Sequence, residues 1–179
     1  MNITVYLGAN DGTETIHKTA AAELGRWIGK NGHTLIYGGS KCGLMGVLAE
    51  NVLLAGGKVI GVEPDFFVDA GYVYDDISQL IVTKTMAERK SKMIELGDAF
   101  IAFPGGTGTL EEITEVMSKV YLGHLNAPCI LYDLDGYYGG LRLQLERMVE
   151  AGLSNVIGQS RIQFARDLDD ISNIIEGWK

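Results

Sequence analysis

Residues 99–112 read A-F-I-A-F-P-G-G-T-G-T-L-E-E, and the rest of the chain can be interpreted outward from this stretch. The apolar run at 99–103 lacks alternation with polar residues, which is typical of a strand buried on both faces in a parallel sheet. Apolar residues then recur at helical spacing, namely Leu110, Ile113, Met117, Val120 and Tyr121. A glycine-rich loop therefore joins the end of a buried strand to the start of a helix.

The loop at 104–109 has the chemistry of an anion-binding site. Backbone N–H groups at the start of a helix lack partners, and the helix dipole adds partial positive charge there. Glycines let a ligand approach the backbone closely, and phosphate is a common ligand of such sites. Glu111 and Glu112 follow in the first helical turn. A carboxylate does not suit a bare phosphate site, so we expect these two to face another part of the ligand.

Glu112 has two interpretations at this level. The tetrapeptide from Thr109 to Glu112 fits a capping box, in which the threonine caps the helix and the glutamate reaches back to it. The alternative is a carboxylate that acts on a bound ligand. The loop itself matches neither the dinucleotide fingerprint nor the P-loop.

Strand-like and helix-like segments alternate along the whole chain. Strands are predicted at 3–7, 33–37, 58–62, 79–83, 99–103, 128–132 and 161–164. This alternation predicts an α/β protein, with residues 1–179 forming one domain around a doubly wound parallel sheet flanked by helices. Glycine-containing turns at 8–12, 38–46 and 104–109 should converge on one crevice, because ligands in this architecture bind outside the carboxyl ends of the strands. The acidic, aromatic segment 65–76 is predicted to be a surface loop, with a lid or interface segment as the alternative.

The composition limits the function classes. The 179 residues carry 15 basic and 23 acidic side chains, for a net charge of −8, which argues against a nucleic-acid partner. The first residues do not resemble a signal peptide, and no stretch approaches a membrane span. Cys42 and Cys129 lack metal or disulfide spacing and are interpreted as buried thiols. These features predict a cytoplasmic protein without a membrane partner.

The segment at 85–96 is predicted to be a helix whose apolar face carries two cations. Met86, Arg89, Lys90 and Met93 follow the spacing i, i+3, i+4, i+7, so they should share one face. Burying unpaired cations is very costly. Either their stems run past the core to solvent, or their charges meet anions in a crevice.

Other polar residues carry no clear site signal. His17, His33 and His124 lack ligand spacing and are interpreted as surface or packing residues. Tyr137 and Tyr138 follow a D-x-D-G turn and are expected to pack against it.

Together these motifs resemble the LOG (LONELY GUY) family, the cytokinin riboside 5′-monophosphate phosphoribohydrolases that have long been labelled lysine decarboxylases. Residues 104–112 match the signature P-G-G-x-G-T-x-x-E. Residues 86–90, M-A-E-R-K, resemble the family motif M-H-x-R-K, and residues 38–46 resemble its G-G-x-x-x-G-L-M-G turn. The resemblance extends over nearly the whole chain.

The resemblance implies a Rossmann-like fold, a homodimer and hydrolysis of the N-glycosidic bond of an AMP-type nucleoside 5′-monophosphate, without a metal or organic cofactor. The family's catalytic residues fall on Arg89 and Glu112. Its substrate contacts fall on Gly39, Ser40, Met86, Lys90, Gly105, Gly106, Thr107, Gly108, Thr109 and Ser118. In this interpretation the loop holds the phosphate, Lys90 offsets its charge and Glu112 faces the ribose.

Two departures from the family pattern leave the preferred base open. Ala87 replaces the motif histidine, and the first turn, Gly8-Ala9-Asn10, lacks a hydroxyl that the family often has there. Two other function classes also remain. One is a Rossmann-like carrier that binds a nucleotide or cofactor without hydrolysing it. The other is a decarboxylase with a lysine-linked pyridoxal cofactor, although the sequence singles out no lysine for that role.

Overall fold

A computed structural model describes residues 1–178 of the chain, in which strands and helices alternate. The strands are β1 (Asn2–Tyr6), β2 (Thr34–Tyr37), β3 (Lys58–Pro64), β4 (Gln79–Thr83), β5 (Ala99–Ala102), β6 (Cys129–Tyr132) and β7 (Ile162–Ala165). The helices are α1 (Thr15–Lys30), α2 (Gly43–Leu54), α3 (Asp65–Asp69), α4 (Met86–Leu96), α5 (Thr107–Tyr121), α6 (Gly139–Glu150), α7 (Val156–Gln159) and α8 (Leu168–Gly177). Each predicted strand is present, with ends displaced by a residue or two.

The seven strands form one parallel sheet in the order β4-β3-β2-β1-β5-β6-β7. The order runs outward from β1 in both directions, so the chain builds first one half of the sheet and then the other. This is the predicted doubly wound, Rossmann-like α/β fold. The turns after β1 and β5 lie side by side where the winding reverses, which is the usual ligand position in such sheets.

Apolar side chains fill both faces of the sheet, which explains why β5 shows no polar alternation. Ile101 belongs to the core under α1, α2 and α8, whereas Phe100 belongs to the core under α4 and α5. Both side chains are fully buried. A strand with a helical layer on each face has no polar side to display.

The segment 65–76 differs from the predicted loop, because its first five residues form α3. The part that follows is held to the turn after β2. The N–H of Lys41 donates to the carbonyl of Tyr72 (2.9 Å), and the N–H of Tyr74 donates to that of Gly39 (3.0 Å). Asp65 is the first residue of α3, where the helix dipole favours a negative charge.

In the described part of the chain, no helix combines the length and the apolar character needed to cross a membrane.

Candidate active site

The three glycine-containing turns converge, as predicted, on one cleft of about 910 Å³ at the carboxyl ends of the central strands. Most of the residues predicted to bind or act on a ligand line this cleft. They are Ser40, Met86, Arg89, Gly105, Gly106, Thr107, Gly108, Thr109 and Glu112. The α/β topology brings them together although they are spread over more than 70 positions of the sequence.

One wall of the cleft is the start of α5, and its geometry overturns the capping interpretation of Glu112. The helix begins at Thr107 with Gly106 as its N-cap, and no side chain caps it. Thr109 is therefore inside the helix, and the carboxylate of Glu112 does not return to the helix start. The first turn closes when the N–H of Leu110 donates to the carbonyl of Gly106 (3.1 Å). The N–H groups before it have no partner within the helix, so they can bind an anion.

Two tyrosines hold this loop in place from the turn after β6. The hydroxyl of Tyr137 donates to the carbonyl of Gly105 (2.5 Å), and that of Tyr138 donates to the carbonyl of Phe103 (2.9 Å). Gly105 also needs to be a glycine, because a Cβ there would lie 3.0 Å from the backbone nitrogen of Gly8 and would overlap the side chain of Thr109. The loop is thus fixed on both sides before any ligand binds.

Arg89 and Glu112 form a buried ion pair at the floor of the cleft. Thr85 caps α4 by accepting a hydrogen bond from the N–H of Glu88 (3.1 Å), which sets Arg89 in the first turn. Nη1 of Arg89 lies 2.6 Å from Oε1 of Glu112, and both residues are 8% exposed. Nε donates to the carbonyl of Val62 (3.0 Å). Of the two sequence interpretations of Arg89, the crevice lined with anions is correct.

Burial and the arginine act on Glu112 in opposite directions. Removal from water raises the pKa of the Glu112 carboxyl, while the charge and hydrogen bond of Arg89 lower it, and burial is the larger effect. The result is a carboxyl whose pKa lies above its ordinary value. Such a group is a better proton acceptor than a surface glutamate once it is ionised.

A second carboxylate, Glu63, was missed by the sequence analysis. It is the last residue but one of β3, is 3% exposed, borders the cleft and places Oε2 3.6 Å from Nε of Arg89. Its pKa is raised to about 7, mainly by burial and also by nearby Glu112, against the opposing effect of Arg89. The sequence does contain a signal: V-I-G-V-E-P places one charge at the end of an otherwise apolar strand. A charge there must meet a partner or a ligand.

Lys90 points away from Arg89 despite the shared helix face that the spacing predicted. Its ammonium pairs with the carboxylates of Glu111 and Glu115, the latter at 3.3 Å. It is not among the described residues that line the cleft. A contact between Lys90 and a substrate stays a prediction, and it requires these two pairs to open.

Gly39 and Ser118 are also not among the described residues that line the cleft. Gly39 packs against Glu63 beneath the turn. Ser118 is exposed, and its hydroxyl donates to the carbonyl of Thr114 one turn earlier on α5 (2.9 Å). Their predicted substrate contacts stay predictions. Met86, by contrast, is 39% exposed and borders the cleft.

Several further residues line the cleft without having been predicted to do so. They are His17, Cys42, Phe67, Tyr72 and Tyr137. Cys42 is half-buried, which corrects the prediction of two buried thiols; Cys129 is buried. Within residues 1–178 no group of three or more His, Cys, Asp or Glu side chains is arranged to hold a metal ion.

Comparison with known proteins identifies relatives of this chain. A family model described as "Possible lysine decarboxylase" matches residues 45–175. A cytokinin riboside 5′-monophosphate phosphoribohydrolase of Rhodococcoides fascians is 38% identical over 169 residues, which cover 94% of this chain and 85% of that protein. The Arabidopsis thaliana enzyme LOG1, of the same description, is 37% identical over 176 residues, which cover 98% of this chain and 83% of its own.

Solved structures with the same fold extend beyond these enzymes. The molybdenum cofactor carrier protein of Chlamydomonas reinhardtii superposes with a TM-score of 0.75 at 20% identity, covering 99% of this chain and 96% of its own. The molybdenum cofactor binding protein of Rippkaea orientalis gives 0.74 at 22% identity, covering 98% and 95%. At such identities the likeness concerns the fold alone. The matches in sequence are the informative ones, and by them this chain belongs to the LOG family of hydrolases, whose named members are cytokinin riboside 5′-monophosphate phosphoribohydrolases.

Proposed function

We propose that this protein hydrolyses the N-glycosidic bond of AMP-type nucleoside 5′-monophosphates, cytokinin riboside 5′-monophosphates included, to a free base and ribose 5-phosphate. The observation that carries the proposal is the buried Arg89–Glu112 pair beside the unpaired amides of Gly106 to Thr109. One end of the cleft suits an anion and the other suits a developing cation. A nucleotide that is losing its base has both.

Glu112 is the group that acts at the sugar. Cleavage of an N-glycosidic bond builds positive charge on the ribose ring, as in other glycoside hydrolyses. A carboxylate beside C1′ stabilises that charge and accepts a proton from the attacking water. Arg89 holds Oε1 of Glu112 in a fixed direction, which leaves Oε2 free for the water.

The helix start acts on the phosphate and orients the reacting bond. Backbone N–H groups of Gly106, Thr107, Gly108 and Thr109 would bind the phosphate oxygens, helped by the dipole of the 15-residue helix α5. Binding energy from this remote group then positions C1′ against Glu112. The mechanism invokes no metal and no organic cofactor.

Glu112→Gln tests the proposal, with Glu146→Gln, an exposed change on α6, as the matched control. We expect wild-type protein to release adenine and ribose 5-phosphate from AMP. Glu112→Gln should lose roughly 10²-fold or more in kcat while it retains nucleotide binding. Glu146→Gln should stay within about twofold, because that side chain is exposed on α6 and is not among the described residues that line the cleft. Both are measured by chromatography of products and by calorimetric titration.

Two outcomes would contradict the proposal. Tight nucleotide binding by the wild type without release of base would identify a non-catalytic carrier, which is the alternative function. An active and well-folded Glu112→Gln variant would remove Glu112 from the chemistry.

The preferred base is the open part of the proposal. Ala87 and Ala9 stand where the family pattern often has a histidine and a hydroxyl, and the aromatic side chains of Phe67 and Tyr72 border the cleft instead. Aromatic side chains bind purines and apolar N6 substituents alike by stacking and contact. Relative kcat/KM for AMP, GMP, CMP and N6-isopentenyl-AMP gives the preference directly.

We further propose that the chain works as a homodimer in the cytoplasm. Support for a dimer comes from the family resemblance and from exposed apolar side chains near the junction of α5 and α7, namely Leu122, Leu153, Val156 and Ile157. Such a group is typical of a covered surface. Support for a reducing compartment comes from the two free thiols. Light scattering gives the mass, and a monomer at micromolar concentration would contradict the dimer.

A further inference from the structure

We propose that Glu63 is a second catalytic carboxyl group, the acid that donates a proton to the departing base while Glu112 accepts one from water. The inference rests on the proposed hydrolysis and extends it. It assigns the leaving-group half of the reaction, to which neither the glycine-rich loop nor the Arg89–Glu112 pair contributes.

The geometry supplies two carboxyl groups and a single cation. Glu63 and Glu112 come from different layers of the fold, β3 and α5, and both border the same cleft. Arg89 lies between them, with Nε 3.6 Å from Glu63 and Nη1 2.6 Å from Glu112. All three residues are at least nine-tenths buried. One guanidinium cannot neutralise two carboxylates in so dry a place, so one of the two carboxyls is favoured in its protonated form.

The contacts decide which carboxyl keeps the proton. Glu112 has the short, charge-assisted hydrogen bond to Arg89, which favours its ionised form. The longer contact leaves Glu63 with less compensation for its burial, and its pKa is raised to about 7. The other groups that face Glu63 do not reverse this. The negative charge of Glu112 disfavours ionisation of Glu63. The Tyr37 hydroxyl on β2 stays neutral because burial raises the pKa of this tyrosine.

Two carboxyls in unequal environments, one with a short charge-assisted hydrogen bond and one without, are the usual arrangement for acid and base in one site. The base leaves more easily as a neutral molecule than as an anion, so a proton delivered to a ring nitrogen lowers the barrier. The carboxyl of Glu63 gives its proton to the base as the bond to C1′ breaks, and the bonding electrons leave with the base. Water forms the new bond to C1′ and loses a proton to Glu112. Exchange with solvent then returns a proton to Glu63 and removes one from Glu112.

A substrate whose leaving group needs no proton separates this role from a merely structural one. We would compare AMP with 4-nitrophenyl ribose 5-phosphate, because nitrophenolate departs as a stable anion. Glu63→Gln should lose about 10²-fold in kcat on AMP but stay within a few-fold on the nitrophenyl substrate. Glu112→Gln should lose activity on both. Glu146→Gln, an exposed change on α6, is the matched control and should alter neither.

The wild-type pH profile gives a second readout that needs no variant. The rate with AMP should fall as pH rises through about 7, as Glu63 loses its proton. The nitrophenyl substrate should not show this alkaline limb. Thermal melting establishes that Glu63→Gln is folded.

The outcomes are distinct. Equal loss on both substrates would overturn the acid role and leave Glu63 as a residue that positions Arg89. Full activity of Glu63→Gln on AMP, or an alkaline limb shared by both substrates, would overturn it too. Failure of the wild type to hydrolyse either substrate would instead contradict the proposed function itself.

Discussion

Two ion-pair clusters join the same pair of helices, α4 and α5, and they differ mainly in depth. Arg89 and Glu112 pair at the floor of the cleft, where both are 8% exposed. Their sequence neighbours Lys90 and Glu111 pair on the outside, where the Glu111 side chain is 58% exposed. The charges and helices are equivalent, yet only the inner pair has both members at the cleft; of the outer pair, Glu111 borders the cleft and Lys90 does not.

The contrast shows that burial, not the presence of charge, distinguishes the candidate catalytic pair. In the outer cluster the carboxylates of Glu111 and Glu115 are 58% and 33% exposed, although the Lys90 side chain is only 16% exposed. Water therefore screens the carboxylates, and such pairs typically contribute ~0–1 kcal/mol. In the inner cluster each ion depends on its partner, because water is excluded. A group held in this way can change its proton affinity when a ligand arrives. Experiments on either cluster test this difference.

The largest expected effect follows removal of the inner cation. Arg89→Met leaves Glu63 and Glu112 buried without a positive partner, and should lower the free energy of unfolding by ~3–5 kcal/mol at neutral pH. Lys90→Met, the matched change in the outer cluster, should cost less than about 1 kcal/mol. Urea unfolding at pH 7 measures both. Equal costs would mean that depth does not separate the clusters.

A smaller effect is expected in the pH dependence of stability. The folded-state pKa of Glu63, about 7, is above the ordinary value for a glutamate, so the folded protein binds a proton more tightly than the unfolded chain. Its contribution is complete below about pH 4.5 and is lost as pH rises through 7, with a total of roughly 3–4 kcal/mol. Burial of Glu112 acts in the same direction.

Urea unfolding between pH 5 and 8 checks this slope. Glu63→Gln should flatten it, because glutamine has no proton to lose. Glu115→Gln in the outer cluster leaves Glu63 intact and should retain the wild-type slope. If the free energy of unfolding of Glu63→Gln depends on pH as in the wild type, a group other than Glu63 is responsible for that dependence.

The smallest effect tests how closely the inner cation is packed. A Cβ at Gly38 would overlap Nη2 of Arg89 and the methyl group of Met45. Gly38→Ala should therefore cost ~1–3 kcal/mol and reduce turnover of AMP, as the guanidinium shifts. Gly140→Ala in α6 meets no atom within 4 Å and should be neutral or slightly stabilising. Wild-type turnover in Gly38→Ala would show that Arg89 tolerates displacement.

The fold was predictable because its signals are local and repeated. The apolar run at 99–103 predicts a strand covered on both faces, and the glycine-rich turns predict where the ligand cleft lies. Of the two cations predicted to share an apolar helix face, Arg89 lies in a crevice lined with anions, whereas Lys90 does not line the cleft. The spacing could not separate Arg89 from Lys90, since neighbours on a helix differ by about 100° and either one could have turned inward.

Local sequence patterns could not predict the network of charges around Arg89. Glu63 and Arg89 are 26 positions apart, and only the pairing of β3 within the sheet brings the carboxylate under α4. The capping box was misread for a related reason. Thr109 fits the cap pattern, but Gly106 already closes the first turn, so the helix starts earlier than the pattern indicated. The loop before this start is bonded to Tyr137 and Tyr138, which are more than 30 positions further along the chain and outside any local pattern.

Because α5 starts directly after the loop, the length of the loop determines which residues of the helix face the cleft. Each residue advances an α-helix by about 100°. If the start of the helix is fixed by the strand and the two tyrosines, one residue deleted between Gly106 and Glu112 would bring Ile113 to the floor of the cleft. One residue inserted there would bring Glu111. Surface loops usually tolerate changes in length, whereas here the count of residues between strand and carboxylate is itself part of the site.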